Sequence, residues 1–295
     1  MKLISYSDTV GGVGIGVIID DLSFVDLTQA GISSCMIDVI ERYDVLKAKI
    51  ATVVAERRFI RALSEVHLEA PIPKPRRNLF CVGKNYLEHA AEFGSSGFDA
   101  GAIGGNEVPE YPIIFSKPGS VVIGPGKAID SSLDPYSSVD YEGELAVVLG
   151  RSGRVTSDDD PMSFVFGYTI FNDVTSRELQ KRHKQWLLGK GIDTFGPLGP
   201  AIVTADELHD LKSLGIRTWV NDEIRQSAKI GDLIFDVATL VRTVGQSISL
   251  KAGDIIATGT PVGVGIGFNP PKYLHPGDRV RIEIDDVGVL ENVVA

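Results

Sequence analysis

Residues 140–149 read Asp-Tyr-Glu-Gly-Glu-Leu-Ala-Val-Val-Leu, and no other stretch constrains the fold so tightly. The apolar half, 145–149, has the composition of a buried strand. Alternate residues of a strand share a face, so Asp140, Glu142 and Glu144 point the same way and Ala146 and Val148 continue that face. A face that changes from carboxylates to apolar side chains marks a strand running from a cleft into a core. Three like charges at that spacing repel, and must be solvated, protonated or bound to a cation. A cluster of oxygen ligands suits hard ions such as Mg²⁺, Mn²⁺ or Ca²⁺. A solvated edge strand accounts for the same residues, so both readings stay open on this segment alone.

The rest of the chain reads as α+β and mostly β. Residues 13–19 and 24–27 form a hairpin-like pair around Asp20-Asp21, and residues 35–67, without glycine or proline, read as helical. Pro71-Ile72-Pro73-Lys74-Pro75 cannot continue a helix and favours an extended connector. It divides a small α+β domain, 1–72, from a larger one, 73–295. In the latter, strands are expected at 113–116, 120–123, 145–149, 164–170, 216–220, 254–257 and 280–284. Helices are expected near 86–93, 176–188 and 232–244. Such irregular spacing argues against a doubly wound sheet.

Composition excludes several function classes. The chain has 29 Lys+Arg against 39 Asp+Glu, a net charge of -10, which is wrong for binding nucleic acid. Cys35 and Cys81 belong to no CxxC or Cys/His cluster and are expected to be reduced thiols. No run reaches the roughly 18 apolar residues needed to span a membrane, and the first 16 residues lack a signal-peptide pattern. A soluble cytoplasmic protein with no membrane partner is the expectation.

Other residues stand out by position. Asp173 follows an apolar strand and precedes Thr175-Ser176-Arg177-Glu178, which has capping-box form, so it is either a ligand at a strand end or part of the cap. Lys190 lies between Gly189, a C′ glycine for that helix, and Gly191; it is a cation at a helix C-terminus or a ligand-facing residue. His89 and Glu92, three apart on a helix, share a face and form either a surface pair or a water-activating one. Thr258-Gly259-Thr260-Pro261-Val262-Gly263-Val264-Gly265-Ile266-Gly267 opens no helix, because Asn269-Pro270-Pro271 follows, so it is not a dinucleotide loop. Its N–H groups and hydroxyls suit a carboxylate.

Taken together, five segments resemble the fumarylacetoacetate hydrolase superfamily in its motif order, in the bacterial form with a small N-terminal domain. They are Val82-Gly83-Lys84-Asn85-Tyr86 with His89 and Glu92, Asp140 to Leu145, Asn172 to Arg177, Gln185 to Phe195, and Thr258 to Gly265. The resemblance implies a β-roll catalytic domain, a homodimer, and one Mg²⁺ or Mn²⁺ per subunit, with Ca²⁺ as a substitute. It implies Glu142, Glu144 and Asp173 as metal ligands, Lys190, Gln180 and Thr260 on a small 2-keto acid substrate, and His89 with Glu92 as the water-activating pair. Some members carry that acid after the glycine motif; here Val264-Gly265-Ile266-Gly267-Phe268 holds none, which favours His89 and Glu92.

The expected reaction is hydrolysis of the C–C bond of an acylpyruvate-type 2,4-diketo acid. His89 with Glu92 would deprotonate water, hydroxide would attack the distal carbonyl, and pyruvate would leave as an enolate stabilised by the divalent ion and Lys190. The same enolate serves oxaloacetate-type decarboxylation and 2-hydroxymuconate-type isomerisation, which remain alternatives. A non-catalytic metal-dependent binding protein is a further alternative, though it has no need of a water-activating pair. Residues 93–109, with a lid at Gly94-Ser95-Ser96-Gly97, are expected to line the distal pocket.

Overall fold

The computed structural model describes residues 1–9, 11–95 and 108–295. Of the expected lid, Gly94 and Ser95 close a helix; its remainder, with the pocket loop as far as residue 107, lies outside the described residues. The N-terminal segment supplies β1 (Lys2–Asp8), β2 (Val13–Asp20), β3 (Ser23–Asp26), helices α1 (Met36–Glu41) and α2 (Tyr43–Ala55), β4 (Ile60–Ala62) and β5 (Val66–Glu69). Next come β6 (Leu79–Gly83), α3 (Leu87–Ser95), β7 (Ile113–Lys117), β8 (Val122–Ile123), β9 (Val139–Asp140), β10 (Gly143–Leu149), β11 (Val165–Asn172) and β12 (Thr175–Ser176). The chain continues through α4 (Arg177–His183), α5 (Leu187–Lys190), β13 (Gly196–Thr204), β14 (Gly215–Val220), β15 (Glu223–Lys229), α6 (Val237–Gly245), β16 (Ile255–Ala257), β17 (Arg279–Ile284) and β18 (Gly288–Val293).

The large sheet runs β4-β3-β2-β1-β13-β11-β10-β16-β6-β7, so the N-terminal strands extend the same sheet through the β1–β13 pair. A second sheet, β15-β14-β17-β18, covers part of it. Strand β10 is buried along its whole length. Leu145, Val147 and Leu149 enter the core shared with the second sheet and α6, whereas Ala146 and Val148 enter the core under α1 and α2. Burying each large side chain contributes on the order of 1.5–3 kcal/mol. This makes β10 the anchor of the molecule and fixes where its N-terminal end lies.

Register then gathers the site. Strand β10 is antiparallel to β11, with Gly143 opposite Asn172, and antiparallel to β16, with Ala146 opposite Ala257. Strand β6 runs parallel to β16. The start of β10 therefore meets the ends of β11, β16 and β6, where the acidic, glycine-loop and Gly83-Lys84-Asn85 segments begin.

Two expectations are corrected. The helix expected over 35–67 is two helices, α1 and α2, parted at Arg42, and it ends at Ala55, because Arg57 (φ 48°) and Phe59 (φ 56°) take left-handed backbone and Ile60–Ala62 pairs with β3. Absence of glycine and proline hid that stop. The helix expected over 176–188 is two helices: Lys184 (φ 57°) breaks it after His183, so Gly189 lies inside α5 instead of ending a helix. Strand β13 does not follow from the sequence pattern, because Pro197 and Pro200 mimic a loop; its pairing with β11 shifts register between Val203 and Gly199, around Pro200. Among the described residues, no helix is long and apolar enough to cross a membrane.

Gly143 faces β14 so closely that a Cβ would collide with Thr218 Oγ1, an atom without a hydrogen-bond partner among the described residues. Gly143→Ala is expected to destabilise the fold by about 1–3 kcal/mol through overpacking. Thr218→Ala in the same chain should restore part of the loss in thermal denaturation followed by circular dichroism. An unchanged midpoint for Gly143→Ala would contradict this packing.

Candidate metal centre and active site

Each carboxylate reaches the site from a separate backbone position. Glu144 is the second residue of β10, Glu142 precedes that strand, and Asp173 follows β11. The approach is held by Glu142 N–H donating to Asn172 Oδ1 (3.0 Å) and Asp173 N–H donating to the Glu142 carbonyl (2.9 Å). One oxygen from each of Glu142, Glu144 and Asp173 lies within 4.8 Å of the others, and all three residues are buried. An all-oxygen donor set with this closeness fits a hard divalent ion.

Three cations answer this charge. Lys190 Nζ donates to Glu142 Oε2 and Asp173 Oδ2, both at 2.8 Å. Arg177 Nη1 lies 2.7 Å from Glu142 Oε1. Lys117 Nζ donates to Asp173 Oδ1 at 2.6 Å and to the Val174 carbonyl at 2.9 Å. Burial alone raises the pKa of Glu142, but Lys190, Arg177 and His89 outweigh it and hold the carboxyl at about 2. Glu144 goes the other way: burial, then the charges of Asp173 and Glu142, push it well above the carboxylate range. Of the three carboxyls, Glu144 is therefore the one whose surroundings favour the neutral form.

The glycine loop does bind carboxylates, and they are the chain's own. Gly259 N–H donates to Glu144 (2.8 Å) and Gly263 N–H to Glu92 (3.0 Å). Gly265 and Ile266 N–H donate to Asp140 at 2.7 and 3.0 Å. This corrects the expectation of three carboxylates on one face. Asp140 lies in β9, two residues break the strand before β10, and Asp140 turns to those N–H groups and to Arg177 Nε (2.8 Å). It orients Arg177 and is not among the clustered ligands.

His89 Nδ1 faces Glu92 Oε2 at 3.1 Å on α3. His89, Gln180, Lys190 and Thr260 line one pocket together with Glu142. Thr260 Oγ1 donates to the Gly143 carbonyl and accepts from Gln226 Nε2, so its orientation is set; Gln180 Oε1 accepts from Arg177. The capping box read at Thr175 does not form: the N-cap is Ser176, which accepts from Leu179 N–H, and a leucine at N3 has no side-chain acceptor to complete a box.

Sequence reasoning missed Lys117 and gave no role to Arg177. Both are fully buried, and their roles depend on contacts 56 and 37 residues away in sequence, which no local pattern signals. Asn85, also without an assigned role, ties the β6 end to the Phe235 and Thr258 carbonyls and accepts from Phe235 N–H.

Residues 78–295 match the C-terminal domain family of fumarylacetoacetate hydrolase. Oxaloacetate tautomerase YisK of Bacillus subtilis is 43% identical over 297 residues, covering 95% of each chain. Among solved structures, a fumarylacetoacetate hydrolase from Exiguobacterium antarcticum is 36% identical with a TM-score of 0.81, covering 100% of this chain and 99% of that one. Maleylpyruvate hydrolase from Sphingobium sp. SYK-6, solved with manganese(II) and pyruvate, is 31% identical with a TM-score of 0.79 and the same coverage.

Mn²⁺ at about 100 times its dissociation constant should stabilise the folded chain by about 2.7 kcal/mol. Glu144→Gln should leave the metal-free midpoint nearly unchanged, since burial and the neighbouring carboxylates already favour a neutral side chain there and an amide has the same shape. It should also abolish most of the Mn²⁺-induced rise. An equal rise in both proteins, read by calorimetry, would remove Glu144 from the ligand set.

Proposed function

The chain belongs to the fumarylacetoacetate hydrolase family of enzymes, and from that premise we propose that it is a Mg²⁺- or Mn²⁺-dependent oxaloacetate tautomerase. The observation that carries this reading is the His89–Glu92 pair in the same pocket as Glu142 and Lys190: a base beside a cation-rich anchor for a 2-keto acid. The 43% identity to an oxaloacetate tautomerase over 95% of both chains puts proton transfer ahead of the C–C hydrolysis expected from the sequence.

In this reading Glu142, Glu144 and Asp173 hold the ion. When bound, it supplies a Lewis acid for the substrate's 2-keto-acid oxygens. Lys190 lends positive charge where the C2 oxygen gains negative charge. Glu92 accepts from His89 Nδ1 and so assigns proton transfer to Nε2, while stabilising the imidazolium that forms. In the keto-to-enol direction His89 takes the proton from C3 and passes it to the C2 oxygen, giving the enol; in the reverse it takes the enol O–H proton and delivers it to C3. Gln180 and Thr260 orient the keto acid. The assembly proposed is a cytoplasmic homodimer.

A second reading, hydrolysis of an acylpyruvate such as maleylpyruvate, is favoured by the similarity to the hydrolase solved with manganese and pyruvate. The same base would then deprotonate water. The test follows enol oxaloacetate by ultraviolet absorbance with Mg²⁺, Mn²⁺ or EDTA, beside pyruvate release from maleylpyruvate and acetylpyruvate. We expect metal-dependent loss of the enol, lowered about 10²–10⁴-fold by His89→Ala. Pyruvate release without accelerated tautomerisation would replace this reading with hydrolysis. No metal-dependent turnover of any of the three would overturn both.

A further inference from the structure

Lys117, the last residue of β7, has no exposed surface, and neither do Asp173 and Val174, the two residues it binds. Its Nζ is held from two sides, by Asp173 Oδ1 at 2.6 Å and by the Val174 carbonyl at 2.9 Å. The backbone of Asp173 is fixed as well. Its N–H donates to the Glu142 carbonyl, and its own carbonyl accepts from Thr175 Oγ1 at 2.8 Å. A tethered ammonium bound to a tethered carboxylate by a charge-assisted hydrogen bond keeps one of its oxygens in a fixed place.

The other oxygen has different surroundings. Asp173 Oδ2 shares the Lys190 ammonium with Glu142 Oε2, each at 2.8 Å. Lys190 and Glu142 line the pocket, and Lys117 is not among its lining residues. Asp173 therefore has one oxygen on a lysine of the pocket and one on a lysine sealed in the core. The two glutamates repeat this division: Glu142 Oε1 lies on the fully buried Arg177, and Glu144 Oε2 accepts from Gly259 N–H. Each carboxylate keeps one oxygen on a fixed donor of the protein. Three ligands of one oxygen each suit a small six-coordinate ion such as Mg²⁺ or Mn²⁺, which fills its other positions with water or substrate. Ca²⁺ is larger, takes up to eight oxygens and often draws on both oxygens of a carboxylate.

We propose that Lys117 is the positioning residue that limits Asp173 to a single metal-ligating oxygen, and so sets the preference of the centre for Mn²⁺ and Mg²⁺ over Ca²⁺. The proposal rests on Glu142, Glu144 and Asp173 being the metal ligands. As a positive charge alone, Lys117 would weaken the binding of every divalent ion alike. As a clamp on one oxygen, it acts on the choice between ions. An affinity ratio separates the two roles.

The test is calorimetric titration of EDTA-treated protein with Mn²⁺ and with Ca²⁺, in the full chain and in its Lys117→Met variant, whose side chain has similar length and no donor. The wild-type protein should bind Mn²⁺ the more tightly. Lys117→Met should lower the ratio of Mn²⁺ to Ca²⁺ affinity about 10- to 100-fold, the size typical of losing a residue that orients a metal ligand. An unchanged ratio, with both affinities moving together, would overturn the proposal and leave Lys117 a charge only. Wild-type protein that binds Ca²⁺ at least as tightly as Mn²⁺ would overturn it too. Failure of the wild type to bind either ion would overturn the metal-centre reading itself, and the proposal with it. If Lys117→Met does not fold, the wild type loaded with Mn²⁺ decides, by pulsed electron paramagnetic resonance in ¹⁷O-labelled water. A six-coordinate ion held by three single oxygens should show about three exchangeable waters. Two or fewer would overturn the proposal.

Discussion

Four carboxylates, of Asp140, Glu142, Glu144 and Asp173, lie buried at one end of the large sheet, and the surrounding structure is arranged to tolerate them. Isolated buried charges cost several kcal/mol each unless they are paired and fully hydrogen bonded. Lys117, Arg177 and Lys190 supply charge, and the backbone N–H groups of Gly259, Gly265 and Ile266 supply donors. The remaining imbalance lies on Glu144, whose pKa burial and the neighbouring carboxylates push upward.

The scaffold makes this concentration of charge bearable. Strand β10 is packed into a core on each face, so its N-terminal end has little freedom to relax away from repulsion. The glycine loop then closes over that end. It joins the two functional parts of the site, since Gly263 holds Glu92 while Gly259 holds Glu144. The dyad and the carboxylate cluster are thereby referenced to one backbone segment. In the proposed reaction, that common reference is what a base and an electrophilic centre would need to act on one small molecule.

Local pattern was a good guide where the physics is local. The alternation in 143–149, the apolar runs of β11, β14 and β17, and the hairpin at Asp20-Asp21 were legible because burial and turn chemistry write themselves into neighbouring residues. Reading failed where a backbone conformation had no marker. Arg57 and Lys184 adopt positive φ without being glycine, and each lies just past the end of a helix that composition would have continued. It failed again at β13, where Pro197 and Pro200 sit in the middle of the large sheet.

From sequence alone came the mostly-β α+β class, the family, and the residues Glu142, Glu144, Asp173, Lys190, His89, Glu92, Gln180 and Thr260, because motif order and side-chain chemistry are properties of the chain itself. Tertiary structure alone decided which of these meet and what neutralises them. Asp140 leaves the cluster for Arg177, Lys117 arrives from β7 to hold Asp173, and the glycine loop spends its N–H groups on the protein's own carboxylates. Those outcomes depend on strand register and on dielectric burial, which arise only when segments distant in sequence are packed together.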